Sequence, residues 1–485
     1  MAIGNISFEQ EPVESNTPVI TNWTPIVPYV VLQDDISGLF YFKLILEVRL
    51  ESSTGLLLGK LKQRRNGLST DIATNKARAI FDLRDMVNSQ LEDTNADQND
   101  TTKSIHTLGE NSTTKVFSLN NNQLQKVYVK AYQEYSENST DGPQEYLTPT
   151  VNDTKYYIAA SLPLETARET QYFQGGSSTA PFRSYTGSFY TDKMLSSVER
   201  HKGRGENYAS GNKYRNYVQS DDYHTIGFLN DNTNFQSNIK FIQVIFYDAN
   251  DSSLSTTYVE NVSANGGEIP TGTLTNAKRL LYYGCGPANL EAQTVTSDSN
   301  AKPSNNSGWA YYTIRATNTD SLTGSDDDFQ TAKYYFIKED GNCKGYKIRR
   351  LAWRNGFGCF DYFNFKMKST QTLDVSRDEY QTMLGNFNDT MYSYDNFGRG
   401  KKVRRTSAVL KETINTDWIK EEEAQLLETL IMSTNVQIVE NADTDYTVPV
   451  MITDKNIIRK TSANDGVQIQ YTFQIEYANP YNTNS

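Results

Sequence analysis

The sequence is poor in the residues that build metal centres and disulfide frameworks. Its 485 residues include only three histidines and three cysteines, at His106, His201, His224, Cys285, Cys343 and Cys359. No two histidines have the spacing of metal ligands, and no two cysteines form a Cys-x-x-Cys pair. We therefore expect no metal site and no catalytic thiol. An odd cysteine count favours buried thiols in a protein made in a reducing cytoplasm.

Long apolar runs and nucleotide-binding loops are also missing. The longest apolar candidate, residues 40–50, is interrupted by Lys43, Glu47 and Arg49, so we expect no membrane span. The amino terminus lacks a basic region followed by an apolar run, and we expect no secretory signal. No Gly-x-x-x-x-Gly-Lys-Ser/Thr loop occurs, and the glycines of 284–287 do not join a predicted strand to a helix. No cofactor is therefore expected.

Basic residues are outnumbered, with 47 Lys and Arg against 58 Asp and Glu, for a net charge of −11. This charge repels a phosphate backbone, so direct nucleic-acid binding is not expected. Two basic clusters nevertheless stand out: Lys344, Lys347, Arg349, Arg350 and Arg354, and Arg399, Lys401, Lys402, Arg404 and Arg405. We interpret both as solvent-facing sides of edge strands, with nucleic-acid contact or docking between identical subunits as the alternatives.

The composition predicts a mainly β protein built from several antiparallel β-sandwiches. The 32 Tyr and 21 Phe supply apolar area in rings that pleated sheets accommodate. We divide the chain into an N-terminal sandwich (1–165), a Tyr-, Gly-, Ser- and Asn-rich extended or loop segment (166–238), a middle β-rich region (239–345) and a C-terminal sandwich (346–485). Within the first, the acidic run 92–122 is predicted to be a surface excursion.

Alternation of apolar and polar residues identifies the clearest strands. The pattern predicts half-buried strands at residues 41–50 and 467–477, and further strands at 55–62, 79–83, 124–132, 155–162, 239–247, 279–283, 309–316, 334–338, 436–440, 448–452 and 457–461. Residues 351–365 predict a hairpin around an Asn-Gly turn, and 288–308 and 317–330 are predicted loops. Residues 416–433 predict one amphipathic helix, with Thr416 as a capping residue and acids in its first turns.

Paired carboxylates are the remaining catalytic possibility. Acid runs occur at residues 325–328 and 421–423, and a glycosidase needs two such groups. We interpret the first run as a solvated loop and the second as complementing the helix dipole. The sequence assigns no catalytic, cofactor-binding or metal-binding residue, and it leaves the interaction surface unknown.

Residues 346–481 resemble structural proteins of tailed bacteriophages. The resemblance is carried by the hairpin at 351–365, the segments Tyr392-Ser-Tyr-Asp-Asn and Arg399-Gly-Lys, Thr416-Asp-Trp-Ile with the Glu-rich helix after it, residues 448–454 and the closing segment 473–481. The pattern looks like the tail-tube and distal-tail-protein fold, a β-sandwich flanked by one helix. That family forms rings, commonly hexamers, around the tail axis. The long amino-terminal part exceeds a minimal tube subunit.

The resemblance implies a non-enzymatic virion subunit of a tail, tail tip, baseplate or adaptor ring. It would be made in the host bacterial cytoplasm, form a homo-oligomeric ring and contact other virion structural proteins. One alternative is a receptor- or carbohydrate-binding protein at a fibre or capsid surface, in which Tyr and Trp rings stack on sugars. A glycan hydrolase is the third hypothesis.

Overall fold

The protein forms two compact units, the first of residues 1–338 and 355–361 and the second of residues 339–354 and 362–485. The computed structural model describes residues 4–12, 19–20, 28–66, 69–91, 103–109, 117–119, 123–158, 216–229, 239–261, 280–293, 296–320, 331, 333–339, 345–356, 358–382, 385–387, 389–393, 400–419, 421–439, 447–456, 469–479 and 482–484. The predicted division of the chain into four segments stays a prediction.

The described part of the first unit consists mainly of strands. They are β1 (Ile6–Gln10), β2 (Val19–Ile20), β3 (Tyr29–Gln33), β4 (Phe40–Leu50), β5 (Leu57–Arg64), β6 (Ala77–Phe81), β7 (Phe117–Leu119), β8 (Leu124–Ser136), β9 (Gln144–Ile158), β10 (Asn216–Val218), β11 (Thr225–Leu229), β12 (Phe241–Tyr247), β13 (Ser253–Glu260), β14 (Leu280–Gly284), β15 (Tyr311–Thr317) and β16 (Tyr334–Lys338). Short helices are α1 (Ser69–Ala73), α2 (Arg84–Asn88) and α3 (Pro287–Ala292), with 3₁₀ turns at Ile105–Thr107, Thr296–Ala301 and Pro303–Asn305.

The first sandwich packs the three-stranded sheet β1-β3-β6 against the five-stranded sheet β2-β9-β8-β4-β5. Leu44, Leu46 and Val48 alternate along β4, are fully buried and belong to an apolar core shared by both sheets. The alternation predicted for residues 41–50 is therefore confirmed. The other side of β4 is not the open surface that the pattern predicts, because Ile45 and Glu47 are buried as well.

The second sandwich packs β11-β14-β7 against the five-stranded sheet β10-β16-β15-β12-β13. Its core is aromatic: the Tyr312 ring stacks on Phe336 at 4.9 Å between centroids and lies 5.1 Å from Phe246. Such ring pairs add to the free energy gained by burial. The strands predicted at 239–247, 309–316 and 334–338 are confirmed as β12, β15 and β16.

The prediction of a surface excursion at residues 92–122 is wrong for its described parts. Ile105 and Leu108 are buried, and β7 pairs with β14, with Phe117 opposite Tyr283. The polar composition of the segment conceals these contacts, because only a few apolar residues in it reach the core. In the predicted loop segment 166–238, the described residues 216–229 contribute β10 and β11, and the remainder lies outside the described residues.

Asn289 on α3 fixes the buried turn at 105–108. Its Nδ2 atom donates to the carbonyl oxygens of His106 and Leu108 at 2.9 and 2.8 Å, and its Oδ1 accepts the backbone N–H of His224 at 2.8 Å. Backbone groups removed from water need such partners. The predicted loop at 288–308 is wrong in part, because α3 and two 3₁₀ turns occupy it. Pro287 at the first helical position favours this start.

The described strands of the second unit build one large sheet and a small tip. They are β17 (Arg349–Arg354), β18 (Phe360–Phe365), β19 (Thr370–Gln381), β20 (Asn386–Phe387), β21 (Tyr392–Ser393), β22 (Lys401–Asn415), β23 (Val436–Val439), β24 (Thr447–Ile452), β25 (Thr472–Tyr477) and β26 (Asn482–Asn484), with helix α4 (Glu421–Met432). The large sheet has the order β18-β17-β23-β24-β25-β22-β19, and β26 also pairs with β22. β20 and β21 pair with each other.

The predicted hairpin at 351–365 is confirmed, since β17 and β18 are neighbours. Its connection is longer than a two-residue Asn-Gly turn. The Asn355 backbone N–H donates to the Cys359 carbonyl at 2.7 Å, and Asn355 Oδ1 accepts the Cys359 N–H at 3.1 Å. Gly358 has φ +85°, a conformation that glycine adopts without strain.

The predicted helix is confirmed, but its start at residue 416 is wrong. The Thr416 N–H donates to the Tyr471 carbonyl at 2.9 Å, and Thr416 Oγ1 accepts the Tyr471 N–H at 2.9 Å. Ile419 forms a β-bridge with Ile469. Thr416 and Ile419 are therefore held by pairing with Tyr471 and Ile469, and α4 begins only at Glu421.

The alternation predicted for the last strand is also confirmed. Ile469, Tyr471, Phe473 and Ile475 are buried, whereas Thr472 and Gln474 are exposed. Val467 and the strand predicted at 457–461 lie outside the described residues. The fold class is the expected one: mainly β, with several antiparallel sheets and few helices. Among the residues that the structure describes, no helix has the length and apolarity needed to cross a bilayer.

We predict that Phe473→Asp unfolds the second unit, because Phe473 is 1% exposed and its ring packs edge-on against Phe365 at 5.8 Å. An unpaired carboxylate in such a site costs several kcal/mol, on the order of the stability of a domain. Hydrogen exchange of the β22 and β25 amides measures the loss. Thr472→Asp places the same charge on the exposed face one residue away and should leave protection unchanged. A protected Phe473→Asp variant contradicts the orientation of β25.

Candidate interaction surface

The described cysteines and histidines, residue types that are common in catalytic and metal sites, lie in the core. Cys285 and Cys359 are fully buried, as predicted for structural thiols. His106 and His224 are buried edge-on against aromatic rings, at 4.6 and 5.0 Å between centroids. The described residues contain no group of three His, Cys, Asp or Glu side chains able to hold a metal ion. His201, Cys343 and the acid run 325–328 lie outside the described part.

A lattice of ion pairs covers the face of the first five-stranded sheet that points away from the core. Glu134 on β8 forms ion pairs with Lys43, at 2.7 Å, and with Lys62. Lys62 also forms an ion pair with Glu145 on β9, at 2.8 Å. Lys60 binds the other oxygen of Glu145 at 2.9 Å. These lysine stems cover the sheet and explain why this side of β4 is buried.

The lattice keeps its carboxyl groups ionised. Hydrogen bonds from Lys62 and then Lys60 lower the pKa of Glu145 to about 2. Burial raises the pKa of Glu134, but hydrogen bonds from Lys43 and Lys62 outweigh it and hold that pKa below its usual value. A glycosidase needs one carboxylic acid with a raised pKa as its proton donor. This pair of glutamates therefore does not have the electrostatics of a glycosidase.

Several of the described aromatic rings are covered and offer no open face to a sugar. Tyr247 and Tyr311 stack on each other at 4.7 Å with planes 10° apart, so that each covers a face of the other. Trp309 and Trp353 are 6% and 0% exposed, and Trp418 alone of the described tryptophans is largely exposed, at 56%. Stacking on a pyranose needs an open ring face, and these rings offer few.

The most unusual surface is a two-stranded ribbon that β19 and β22 form at the edge of the large sheet. The strands pair continuously from Thr370 opposite Thr413 to Gln381 opposite Lys401, a length of about 40 Å. All twelve residues of β19 are exposed. Among the described strands, residues 401–405 of β22 pair with β19 alone, because β25 and β26 pair with β22 only from residue 406 onwards. We call this element the ribbon.

The ribbon exposes apolar side chains instead of burying them. Seven of the twenty most exposed large apolar residues in the described chain lie in it or at its tip: Leu373, Val375, Tyr380, Phe387, Met391, Tyr392 and Val403. Leu373 faces Leu410 across the ribbon, and Val375 faces Ala408, so these four side chains share one face. A two-stranded ribbon without a core is marginally stable in water.

The two basic clusters differ in their exposure to solvent. Lys401, Lys402, Arg404 and Arg405 are exposed on the ribbon, as the interpretation of a solvent-facing strand predicts. Among the described strands, residues 401–405 of β22 pair with β19 alone, so this part of β22 has an open edge as the interpretation expects. In the other cluster, the interpretation is wrong for Arg349 and Arg350, which are 7% and 4% exposed. Lys344 and Arg399 lie outside the described residues.

A buried ion pair anchors the base of the ribbon. Arg349 Nε on β17 lies 2.8 Å from Oε1 of Glu412 on β22, and Oε2 of Glu412 accepts from Tyr477 at 2.7 Å and from Gln371 at 3.1 Å. Burial raises the pKa of Glu412, but the hydrogen bonds from Arg349, Tyr477 and Gln371 hold it below its usual value. The carboxylate therefore joins four strands: β17, β19, β22 and β25.

Sequence reasoning missed the ribbon and the lattice. The available signal for the ribbon was the alternation of Leu373 and Val375 with polar neighbours, followed by a second alternating run from residue 403. Both runs contain many charges, and they resemble solvated loops. For the lattice, Glu134 and Glu145 stand in strands of ordinary polar alternation, and only the register of β8 with β9 places them side by side. No protein-family model and no curated protein matches the chain.

We predict that Glu145 makes the first unit acid-sensitive. Its pKa is lowered from about 4.5 to about 2 in the folded protein; a carboxyl group with a depressed pKa contributes stability above its ordinary pKa and loses it as the pH falls towards the folded value. Stability should therefore fall between pH 4.5 and 2. Glu145→Gln should flatten that part of the curve, measured by hydrogen exchange of β8 and β9 amides. An unchanged pH dependence contradicts the prediction.

We predict that Glu412→Gln loosens the base of the ribbon, because it leaves the buried Arg349 guanidinium without its counter-ion. Breaking a buried pair typically costs about 3–5 kcal/mol. Arg349→Met should cost a similar amount, and Arg349→Met with Glu412→Gln should cost less than the sum of the single changes. Exchange rates of β17 and β22 amides measure all three. Additive costs would mean that the two side chains act independently.

Proposed function

We propose that this chain is a structural subunit of a tailed-bacteriophage virion, working through protein–protein interfaces without a chemical step. The ribbon carries the proposal. It extends an edge of about 40 Å with one apolar face formed by Leu373, Val375, Ala408 and Leu410. Long exposed edge strands template pairing with another chain, and natural proteins usually protect them. An element of this kind is expected where a partner completes it.

The ring assembly rests on the same element. A surface that is complementary to a different patch on an identical subunit produces a closed ring when the rotation between subunits closes. We propose a homo-oligomeric ring, with a hexamer as the family resemblance implies, located in the tail, tail tip, baseplate or an adaptor. Other virion structural proteins would contact the ring.

Two other functions have less support. The depressed pKa values of Glu134 and Glu145 disfavour a glycan hydrolase built on that pair. The stacking of Tyr247 on Tyr311 and the burial of Trp309 and Trp353 disfavour recognition of sugars by these four residues. Neither observation concerns the ribbon, which is the feature that a structural role explains.

We predict that Leu373→Asp together with Val375→Asp abolishes assembly while the subunit stays folded, because both side chains are already exposed, at 44% and 42%. Light scattering after size-exclusion chromatography measures the mass, and negative-stain electron microscopy measures ring formation. Thr372→Asp with Ser376→Asp is the matched control, since it adds the same charges to the ribbon's opposite face.

If the Leu373→Asp, Val375→Asp variant still assembles, this face is not the interface. If both double variants fail to assemble, the loss of assembly is not specific to the face with Leu373 and Val375. Virion membership has its own test: particles produced without this protein should lack a complete tail in electron micrographs. Normal, infectious tails would refute the virion role.

A further inference from the structure

The far end of the ribbon carries exposed apolar side chains of a different kind from those on its shaft. We call Phe387, Met391 and Tyr392 the distal end; they are 68%, 61% and 57% exposed. Phe387 lies opposite Tyr392 in the small β20–β21 pairing. The Tyr392 ring packs against Gly385, at a position that a side chain on residue 385 would occupy. The distal end is therefore a compact apolar tip.

Basic side chains surround the ribbon just behind this tip. We call Lys401, Lys402, Arg404 and Arg405 the basic collar, and all four are exposed. Lys401 pairs with Gln381, Lys402 with Tyr380, and Val403 with Glu379. Because paired residues share a face and successive residues alternate, Lys401 and Val403 lie on one face and Lys402 and Tyr380 on the other. Over residues 401–403 and the residues paired with them, each face thus presents one basic and one apolar side chain, and a β-bulge between Asp378 and Glu379 interrupts the alternation before Arg405.

This two-sided arrangement distinguishes the end of the ribbon from its shaft. A protein partner that covers a strand pair contacts mainly one face, and the two exposed large apolar residues of the shaft, Leu373 and Val375, accordingly lie on one face. A planar lipid surface entered end-on contacts both faces equally. We propose that the distal end inserts into an anionic lipid surface, with the basic collar at the headgroups.

The chemistry of the side chains fits the two layers of such a surface. Phe and Met are apolar, and Tyr prefers the boundary between acyl chains and headgroups. Lys and Arg near an anionic surface are attracted to its lipid phosphates. Five residues separate Gln381 from Phe387, and the six residue steps span at most about 22 Å of extended chain. The collar is thus close enough to contact headgroups when the tip enters the interface.

Nucleic acid is the less favoured occupant of the collar. Asp378, Glu379 and Asp389 lie among or near the basic residues, and Glu379 is 3.5 Å from Lys401. These carboxylates repel the phosphates of nucleic acid and of anionic lipid alike, so the apolar tip decides between the two occupants. The apolar Phe387 and Met391 would also stay in water in a complex held only by phosphate contacts, whereas a lipid surface buries them.

Flotation of the full chain with vesicles tests the proposal. The chain should float with vesicles of phosphatidylcholine mixed with phosphatidylglycerol, less with phosphatidylcholine alone, and less as salt is raised. Phe387→Ser with Met391→Ser should weaken binding about tenfold or more, since two large side chains lose their burial. Lys401→Glu with Lys402→Glu should abolish the preference for anionic vesicles. Leu56→Ser with Leu57→Ser, at another exposed hairpin end, is the matched control and should bind normally.

Three results would overturn the proposal: no flotation with either vesicle, undiminished binding by Phe387→Ser with Met391→Ser, or tighter binding to duplex DNA than to anionic vesicles. The test is separate from that of assembly, because it changes the tip and collar and leaves Leu373 and Val375 intact. Monomers of the Leu373→Asp, Val375→Asp variant that still float would support lipid binding, whatever the outcome for the ring.

Discussion

The buried ion pair between Arg349 and Glu412 is the contact on which the second unit depends. Removing a carboxylate and a guanidinium from water costs several kcal/mol per ion, and the cost is offset only when geometry and additional hydrogen bonds are good. Glu412 satisfies this condition with Arg349, Tyr477 and Gln371, which come from three different strands. A shift of any one strand would remove one of these hydrogen bonds from the buried carboxylate. The pair therefore fixes strand register where the ribbon leaves the sheet, and the exposed part needs no core to hold its direction.

Sequence patterns predicted the strands that bury one face in an apolar core. They failed for the strands of the ribbon, which expose both faces. β4 and β25 have strict alternation because each places one face in an apolar core, and both were predicted. The ribbon exposes both faces, so its alternation carries little hydrophobic contrast. Arg349 and Arg350 read as surface residues because burial of Arg depends on partners such as Glu412 and Asn364, which are distant in sequence. The start of α4 was misplaced for a related reason: Thr416 is a good cap, but a strand 55 residues away takes both its hydrogen bonds.

Charge is arranged differently in the two units. In the first unit, the lysines and glutamates of the lattice neutralise each other across strands and seal a sheet face. In the second unit, Lys401, Lys402, Arg404 and Arg405 are exposed on one strand, and Glu379 and Asp378 of the paired strand lie beside them, although the chain as a whole has a net charge of −11. A local excess of positive charge on an acidic protein attracts anionic partners. The acidic surface of a second copy also repels it less than it would repel an acidic patch. The ribbon thus differs from the rest of the described surface in exposing both apolar and basic side chains.

The pairing of β7 with β14 has a consequence for synthesis of the chain. Phe117–Leu119 cannot find its partner until residues 281–283 have left the ribosome, more than 160 residues later. Until then Ile105 and Leu108, which the finished protein buries, lack the second sandwich that encloses them. The nascent first sandwich must carry this unfinished segment without aggregating, and the acidic residues of 92–122 are well suited to keep it in solution. The acidic residues of this run, which lies between β6 and β8 of the first sandwich in the sequence, would then serve the growing chain more than the finished protein.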